Sequence, residues 1–490
     1  MGATSAPSDT QFMESIRFGT SGWRGIIALD FTFANVALVA QALSTHLKKE
    51  LKRRRSPIHG RKPLIILGHD TRFMGPEFAR TVASVLAHNG LSPLMCERDA
   101  PTPVIAHAIR HRRAIAGINM TASHNPACYQ GLKLSMHDGA GASKEVTQAI
   151  EKEIVKLQQK GWTWPGDASS QTPCPTFNPR EAYLKQVRSL IDLPRIKRAK
   201  MKIAVECMYG TGRGYLDALL EEAGAEVTRF HDTLNPGFGG HHPEPNEAGM
   251  AEVRDCVLSG KAQLGLGLDG DADRFGIVDT DGTWLTPNQI LALALYHLAK
   301  NRKWQGAVVR TVPTSHQVDD VAAMFGIKVH ETPTGFKHLG ALMESEPIIV
   351  GGEESGGLSI KGHVPEKDGI LACLLMAELC AYEKKSLGEI LKQIEQTTGP
   401  YFTDRINVRI PAEAKEALLD RLSKGLDKVG RYRVESFISM DGYKFVLPGQ
   451  QWVAFRASGT EPLVRCYIEA KSQKDLKALA LACRRILKGS

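Results

Sequence analysis

Short apolar runs alternate with helical periodicity through the first part of this 490-residue chain. Apolar residues spaced three and four apart predict a helix over residues 34–55, and an early proline predicts another from Pro76 to His88. Short apolar runs bounded by polar residues predict strands at Leu64–Leu67, Ser92–Cys96 and Ala114–Met120. Strands that alternate with helices in this way are typical of an α/β unit with a parallel sheet.

The same order of elements recurs twice after a Pro- and Ser-rich stretch over residues 162–180, which we interpret as a linker. The second cycle ends in an apolar strand at Leu268, and the third ends in a strand over residues 347–350. Each cycle delivers a polar or glycine-rich loop after its last strand. This predicts a weak internal repeat, with the functional groups beyond the carboxyl ends of strands, where open α/β sheets bind ligands.

The pattern changes from Tyr401 onwards. Strand patterns cover residues 404–410, 443–447, 452–456 and 463–469, and two helical segments accompany them. We therefore predict a C-terminal α+β unit with an antiparallel sheet.

Composition and charge narrow the class of protein. Hydrophobic residues make up 42% of the chain and charged residues 23%, as in ordinary soluble globular proteins. The net charge is +9, and a basic cluster at Lys48–Lys62 contributes to it. We interpret that cluster as a solvated helix end, because no nucleic-acid-binding motif accompanies it. We therefore predict no nucleic-acid partner. The longest apolar segments, such as Ile370–Leu379, are too short to span a bilayer, so we predict no membrane partner either.

Cysteine usage and the N-terminal residues predict the compartment. Nine cysteines are scattered without CxxC pairs or metal-type spacing, which indicates reduced thiols rather than a disulfide scaffold. The N-terminal residues are polar and contain no signal-peptide core. We therefore expect a cytoplasmic enzyme.

Three aspartates at alternate positions, Asp269, Asp271 and Asp273, follow an apolar strand. A turning backbone with a glycine between the first two can aim several hard oxygens at one point, which suits Mg²⁺ better than Zn²⁺ or copper. An EF-hand loop needs Gly at its sixth position and Glu at its twelfth. Counted from Asp269, those positions hold Arg274 and Thr280, so an EF-hand is excluded. The overlapping GxGxxG pattern is not followed by a helix, which excludes dinucleotide binding. A solvated acidic turn is the remaining alternative.

Ser123 lies in the segment TASHNP (121–126), directly after a predicted strand. A serine hydroxyl is a poor nucleophile unless a base or a metal activates it. His124 is adjacent and Lys133 follows further on, and either could move the proton between a substrate hydroxyl and a phosphate. The alternative is an ordinary turn, because Ser, Asn and Pro are all turn formers.

A second loop combines arginine with hydroxyl groups. The segment RASGTEP (456–462) follows a predicted strand, and Arg465 lies just beyond it. Arginine binds phosphate through two parallel hydrogen bonds, and loop N–H groups add to them. A plain hairpin is the alternative. Residues 18–25 have similar chemistry, and the absence of a Walker A pattern from the sequence argues against an ATP-dependent kinase.

Five motifs, in this order and spacing, resemble those of the α-D-phosphohexomutase superfamily, the phosphoglucomutase and phosphomannomutase enzymes. They are FGTSGWRG (18–25), TASHNP (121–126), GLDGDADR (267–274), GGEESGG (351–357) and RASGTEPLVR (456–465). The resemblance implies an α/β fold with four domains around a central cleft. Three related α/β units with mixed sheets sandwiched by helices would precede a C-terminal α+β domain. The expected bounds are 1–165 with the phosphoserine loop, 166–284 with the metal-binding loop, 285–398 with the sugar-binding loop and 399–490 with the phosphate-binding loop.

The resemblance also implies roles for individual residues, with Ser123 as the phosphoserine that stores the phosphoryl group. The implied catalytic residues are Ser123, His124, Lys133 and Arg24. Lys133 is the expected general base. The implied Mg²⁺ ligands are Ser123, Asp269, Asp271 and Asp273. The implied substrate contacts are Lys337, Glu353, Ser355, Arg456, Ser458, Gly459, Thr460 and Arg465.

The implied activity is the interconversion of hexose 1-phosphate and hexose 6-phosphate through a phosphoserine and a hexose 1,6-bisphosphate, which also acts as activator. The paired glutamates of GGEESGG favour glucose, although Gly356 stands where glucose-type enzymes often carry an aromatic residue. Phosphomannomutase and phosphoglucosamine mutase activity are the alternatives with the same mechanism, and a non-catalytic sugar-phosphate binding protein is another. We expect a monomer or a homodimer.

Overall fold

The structure, a computed structural model, describes residues 16–19, 22–53, 63–166, 174–457 and 463–488. These residues form four main β-sheets that follow one another along the chain, and we call each sheet with its helices a unit. Within the described residues, no helix has the length and apolar character needed to cross a membrane.

The first unit is a seven-stranded mixed sheet with helices packed on it. Its elements are β1 (Phe18–Gly19), β2 (Gly22–Ile26), α1 (Phe33–Arg53), β3 (Leu64–His69), α2 (Gly75–His88), β4 (Ser92–Cys96), α3 (Thr102–Arg112), β5 (Ala116–Met120), β6 (Tyr129–Met136), α4 (Lys144–Gln159) and β7 (Thr176–Phe177). The strand order is β1-β2-β6-β5-β3-β4-β7, with β3 parallel to β4 and β5, and β6 antiparallel to β5.

The second unit has a five-stranded sheet in the order β12-β11-β10-β8-β9. Its elements are α5 (Arg180–Leu190), α6 (Leu193–Ala199), β8 (Lys202–Glu206), α7 (Leu216–Glu222), β9 (Glu226–Phe230), α8 (Ala251–Leu258), β10 (Leu264–Leu268), β11 (Phe275–Val278) and β12 (Trp284–Leu285). Strand β8 is parallel to β9 and β10, and β11 returns antiparallel to β10.

The third unit has a four-stranded sheet in the order β14-β13-β15-β16. Its elements are α9 (Pro287–Lys300), β13 (Ala307–Thr311), α10 (Gln317–Met324), β14 (Val329–Thr332), α11 (Phe336–Ser345), β15 (Ile348–Glu353), β16 (Gly357–Ile360), α12 (Gly369–Glu383) and α13 (Leu387–Thr398). A capping box of Thr286 and Gln289 begins α9, and Asp368 caps α12. Helix α12 is apolar and buried on almost every side, which explains the apolar run noted in the sequence.

The three units repeat one strand arrangement. In each sheet, three parallel strands are followed by a fourth that returns antiparallel, and their spatial order is second, first, third, fourth. The loop between the third and fourth strands is 121–128 in the first unit, 269–274 in the second and 354–356 in the third. The predicted internal repeat is confirmed, and it places these three polar loops at equivalent positions of three sheets.

The fourth unit is an antiparallel sheet in the order β17-β23-β22-β21-β20, as the sequence predicted. Its elements are β17 (Phe402–Arg409), α14 (Ala412–Ser423), β18 (Lys428–Val429), β19 (Tyr432–Arg433), β20 (Ser436–Ile438), β21 (Tyr443–Val446), β22 (Trp452–Ala457), β23 (Leu463–Ala470) and α15 (Gln473–Lys488). One sheet face and the two helices enclose an apolar core that includes Phe445, Phe455 and Leu479.

The segment 162–180, interpreted as a linker, is partly integrated into the fold. Strand β7 within it pairs with β4 at the edge of the first sheet, and α5 begins at Arg180. Residues 167–173 lie outside the described part of the chain. The pairing of β7 therefore ties the end of this segment to the first unit.

Candidate active site

The loop between β5 and β6 presents Ser123 directly beyond the carboxyl end of β5. Ser123 has a left-handed backbone, with φ at 53°, and its side chain is buried. Its N–H donates to Thr121 Oγ1 over 2.9 Å. Its hydroxyl lies 2.8 Å from Asp269 Oδ2 and 3.3 Å from His124 Nδ1. The fold thus brings the candidate nucleophile to a carboxylate 146 positions away in sequence.

Arg72 binds the backbone of the serine loop. Its side chain is fully buried and lies 3.1 Å from Asp70 Oδ2. The guanidinium donates to the carbonyl oxygens of Ser123 at 2.7 Å, Asn125 at 2.5 Å and Pro126 at 2.6 Å. Because a guanidinium is rigid and planar, these bonds fix the backbone that carries the hydroxyl.

The loop between β10 and β11 brings Asp269, Asp271 and Asp273 together. All three are fully buried, and one ligand-capable oxygen from each lies within 4.8 Å of the others. A Cβ atom at Gly270 would lie only 2.8 Å from Ser123 O. Glycine at this position therefore allows the aspartate loop to touch the serine loop.

The aspartate cluster has the properties of a cation site. Asp271 Oδ1 and Asp273 Oδ1 are buried and have no hydrogen-bond partner among the described residues. Burial raises the pKa of Asp269 well above its usual range, and the charges of Asp271 and Asp273 add to this. A buried cluster of acids requires compensating positive charge. The donor set consists of oxygen atoms alone, so these residues fit Mg²⁺.

Three further side chains surround the aspartates. Lys133 Nζ, from β6, lies 2.6 Å from Asp271 Oδ2 and 2.8 Å from Asp273 Oδ2. Burial lowers the pKa of Lys133, but the two carboxylates outweigh it and raise the pKa above its ordinary value. Thr102 Oγ1 donates to Asp271 Oδ2 over 2.5 Å, and Lys367 Nζ, from the third unit, lies 3.0 Å from Asp273 Oδ2.

Positive charge also lines the serine side of the site. Arg24, on β2, donates from Nη1 to Asn125 Oδ1 over 2.5 Å.

The imidazole of His124 also lies on this side of the site. Burial lowers the pKa of His124 well below its usual range, and the charges of Arg274 and Arg24 lower it further. His124 is therefore a neutral imidazole, and the same shift makes it a weak base.

The loop between β15 and β16 carries the predicted sugar contacts. Glu353 is buried, and its Oε1 accepts the Gly335 N–H over 2.8 Å. Burial raises the pKa of Glu353, and the charge of Glu354 adds to this effect. Glu354 Oε2 accepts from Thr311 Oγ1 over 3.1 Å, so the two glutamates have different partners. Ser355 is partly buried in the turn that follows.

Lys337 stands apart from the catalytic groups. It lies in the first turn of α11, and its charged neighbours are Glu145 and Lys144 at the start of α4. Burial lowers the pKa of Lys337. Within the described ranges it makes no hydrogen bond to the serine loop or the aspartates, so its contact with substrate stays a prediction.

The fourth unit contributes the arginines of the predicted phosphate site. Arg456 on β22 and Arg465 on β23 are directly paired across the sheet. Arg405 on β17 lies on the same face, because its partner Tyr467 is two positions from Arg465. Arg456 Nε lies 2.8 Å from Asp441 Oδ2. The predicted contacts Ser458, Gly459 and Thr460 lie outside the described residues.

Sequence reasoning did not identify several residues of this site. Arg72 lies in the loop that follows strand β3, so the rule that located the serine and aspartate loops could have found it. Thr102 opens a helix after a proline, which looks like ordinary capping chemistry in sequence. Lys367 and Asp441 come from segments without a local signal, and only the fold shows their contacts.

Models of the phosphoglucomutase/phosphomannomutase family match the chain in four segments. The model of α/β/α domain I matches residues 15–161, domain II matches 181–282 and domain III matches 286–397. The model of the C-terminal domain matches residues 406–486.

Individual proteins resemble the chain over nearly its whole length. The phosphoglucomutase/phosphomannomutase of Thermococcus kodakarensis is 30% identical, over 94% of this chain and 96% of its own. A protein of Methanosphaera stadtmanae, named a probable phosphoglucosamine mutase, is 28% identical over 94% and 96%. A solved structure from Thermus thermophilus, named provisionally as a phosphomannomutase, superposes with a TM-score of 0.82 at 31% identity, over 97% of this chain and 100% of the other.

Proposed function

Because this chain belongs to the phosphoglucomutase/phosphomannomutase family, we propose that it interconverts glucose 1-phosphate and glucose 6-phosphate. Its enzyme class is that of the family, a mutase and therefore an isomerase. The observation that carries the proposal is the Ser123 hydroxyl, 2.8 Å from Asp269 in a buried acidic cluster. Two oxygens of that cluster have no partner among the described residues.

Ser123 is the proposed phosphoryl carrier. The sugar phosphate accepts the phosphoryl group from Ser123 Oγ and becomes hexose 1,6-bisphosphate. The bisphosphate reorients, its other phosphoryl group passes to Ser123 Oγ, and the isomeric monophosphate leaves. Phosphoryl transfer is catalysed mainly by positioning and by neutralising the charge of the moving group. Arg24 supplies part of that charge, and Mg²⁺ held by the aspartates would supply more.

The proton of the sugar hydroxyl has two candidate acceptors. We propose Lys133 as the general base, because its Nζ lies within 3 Å of Asp271 and Asp273. These carboxylates belong to the same cluster as Asp269, which contacts the Ser123 hydroxyl. Lys133 is protonated beside those carboxylates alone, and a divalent cation in the same cluster would lower its pKa by charge repulsion. His124 is the second candidate, since it is neutral and its Nδ1 lies 3.3 Å from Ser123 Oγ.

The rest of the substrate is assigned to the third and fourth units. Glu353 and Ser355 would bind sugar hydroxyls. The non-reacting phosphate would be bound by Arg456 and Arg465 together with Ser458, Gly459 and Thr460. Both ends of the sugar must face Ser123 in turn, so a phosphate site on a separate unit suits the reaction. Closure of that unit over the substrate would exclude water and protect the phosphoserine from hydrolysis.

The carrier assignment is tested by mass and by turnover. We expect purified protein treated with glucose 1,6-bisphosphate to gain one phosphate that maps to Ser123. Ser123→Ala should lose that phosphate and nearly all turnover of glucose 1-phosphate with Mg²⁺. The exposed Ser423, at the end of α14, provides the matched control, and Ser423→Ala should behave as wild type. Full activity in Ser123→Ala would contradict the assignment.

The sugar preference needs a separate comparison. The paired glutamates of the sugar loop support glucose, whereas the similarity to a probable phosphoglucosamine mutase supports the amino sugar. We expect kcat/KM to be highest for glucose 1-phosphate, lower for mannose 1-phosphate and lowest for glucosamine 1-phosphate. A reversed order would keep the reaction class and replace the proposed substrate.

A further inference from the structure

Asp441 lies between the phosphate-binding arginine and the third unit. It occupies the turn that joins β20 to β21, directly before Gly442, whose φ is 84°. Asp441 Oδ2 lies 2.8 Å from Arg456 Nε, on the same sheet. The same oxygen accepts the Thr334 N–H, from the third unit, over 2.9 Å. One carboxylate oxygen therefore contacts groups of two units.

The segment that Asp441 contacts also binds Glu353, whose carboxylate is proposed to contact the sugar. Thr334 N–H donates to Asp441, and the next N–H, of Gly335, donates to Glu353 Oε1 over 2.8 Å. Gly335 has a φ of 120°, which an L-residue rarely adopts, so a glycine is needed to point two consecutive amides at two carboxylates. A continuous path of contacts thus runs from Arg456 through Asp441 and this turn to Glu353.

The placement of Asp441 is hard to explain without a positioning role. A carboxylate next to a proposed phosphate site repels the phosphate, and that cost needs a compensating benefit. Asp441 and Arg456 are about one-fifth exposed, so their attraction is screened less than that of a surface pair. Because Asp441 already restricts the rotamers of Arg456, the arginine loses less conformational entropy when it binds the phosphate.

We propose that Asp441 is a positioning residue, which orients Arg456 for the non-reacting phosphate and couples that site to Glu353 through the Thr334–Gly335 turn. The inference rests on the proposed function, because it assumes that Arg456 binds substrate phosphate. Beyond the proposed function, it assigns a role to Asp441 and links two proposed substrate contacts on different units, Arg456 and Glu353.

Asp441→Asn tests the proposal with little change in shape. The amide oxygen can still accept the Thr334 N–H, but the charge that holds Arg456 is lost. We expect KM for glucose 1-phosphate to rise about tenfold with kcat nearly unchanged, because the non-reacting phosphate is bound equally in the ground and transition states. The hairpin itself should persist, since Phe437 stacks on Phe445 and Tyr443 across β20 and β21.

The matched control is Asp420→Asn in α14 of the same unit. Asp420 makes an exposed pair with Lys424 at 2.7 Å, away from the site residues in sequence. We expect wild-type kinetics from this variant and a melting temperature within about 2 °C of wild type for both variants. A lower melting temperature of Asp441→Asn with unchanged KM would indicate a purely structural role and overturn the inference.

A double variant tests whether Asp441 acts through Arg456. Arg456→Lys loses the planar guanidinium that Asp441 orients. In that background, Asp441→Asn should raise KM no further, and multiplicative effects of the two changes would overturn the inference. The proposed function fails separately: wild-type protein that turns over none of the hexose phosphates contradicts it, whereas active wild type with an unaffected Asp441→Asn contradicts only the role of Asp441.

Discussion

The serine end of the site and its proposed phosphate-binding end differ in how firmly they are tied to the rest of the protein. Ser123 lies in a loop that Arg72 fixes through the carbonyl oxygens of three residues, and the aspartates beside it are fully buried. The largest apolar cluster runs continuously through the second and third units. The fourth unit has its own apolar clusters, and none of those found among the described residues joins it to the others.

Polar contacts join the fourth unit to the third unit. Lys444 is fully buried, and its Nζ donates to Val312 O over 2.9 Å and to Glu331 Oε1 over 3.0 Å in the third unit. Glu469 Oε1 accepts the His316 N–H over 3.0 Å. A few directional contacts can break and re-form together more readily than a shared core. This arrangement therefore suits a unit that, in the proposed reaction, admits and releases substrate. The reacting groups, by contrast, need a fixed geometry.

The largest effect should come from the aspartates at the rigid end. Asp271→Asn keeps the shape of the side chain but removes the charge beside the unpartnered Oδ1. Because a bound metal ion stabilises a transferring phosphoryl group by several kcal/mol, we expect kcat to fall by about three orders of magnitude. Titration calorimetry with Mg²⁺ should show weaker binding in the same variant.

The control for this change is Asp281→Asn, an exposed aspartate in the turn after β11 of the same unit. It should keep both Mg²⁺ binding and turnover. Equal Mg²⁺ affinity of wild type and Asp271→Asn would show that the cluster is not the metal site. In a separate measurement on wild-type protein, removal of Mg²⁺ with EDTA should abolish turnover, and added Mg²⁺ should restore it.

The second largest effect should come from Arg72, which fixes the serine loop. Lysine cannot reproduce the fan of bonds from one guanidinium to the serine loop, so Arg72→Lys should loosen the loop while keeping the charge near Asp70. A displacement of about 1 Å at the nucleophile costs about 100-fold in rate, and we expect a loss of that order in kcat. Hydrogen exchange of residues 121–129 should rise in parallel.

Arg80→Lys is the matched control, because Arg80 lies in α2 of the same unit and makes a partly exposed pair with Glu77 at 3.2 Å. Its kinetics should equal those of wild type. If Arg72→Lys kept full activity, the rigidity of the serine loop would not depend on this arginine.

The same contrast explains what could be predicted from the sequence. The three polar loops follow apolar strands in a repeated order, so their positions were accessible from local patterns. Strand β6 was not predicted, because Gln130 and Lys133 are buried polar residues within it and obscure its apolar character. Contacts across units, such as Lys367 with Asp273 and Asp441 with Thr334, depend on the fold and leave no pattern in the sequence.

The smallest predicted effect concerns the interface of the fourth unit and its response to pH. Burial raises the pKa of Glu469 to about 6 from its ordinary 4.5, although hydrogen bonds from the His316 N–H and Trp452 Nε1 oppose this. Lys444, whose pKa burial lowers to about 8, is its charged neighbour at the interface. A carboxyl group with a raised pKa contributes stability that is fully present below pH 4.5 and is lost as the pH rises through about 6.

Glu469→Gln removes this titration while keeping an acceptor for both donors. Relative to the variant, wild-type protein should lose up to about 2 kcal/mol of unfolding free energy between pH 4.5 and pH 7, as 1.36 kcal/mol per pKa unit requires. Urea unfolding at several pH values measures the difference, and hydrogen exchange in β22 and β23 locates it. Parallel pH profiles for wild type and variant would show that the interface does not titrate. An effect confined to the fourth unit would show that the serine loop stays protected while the proposed phosphate-binding end loosens.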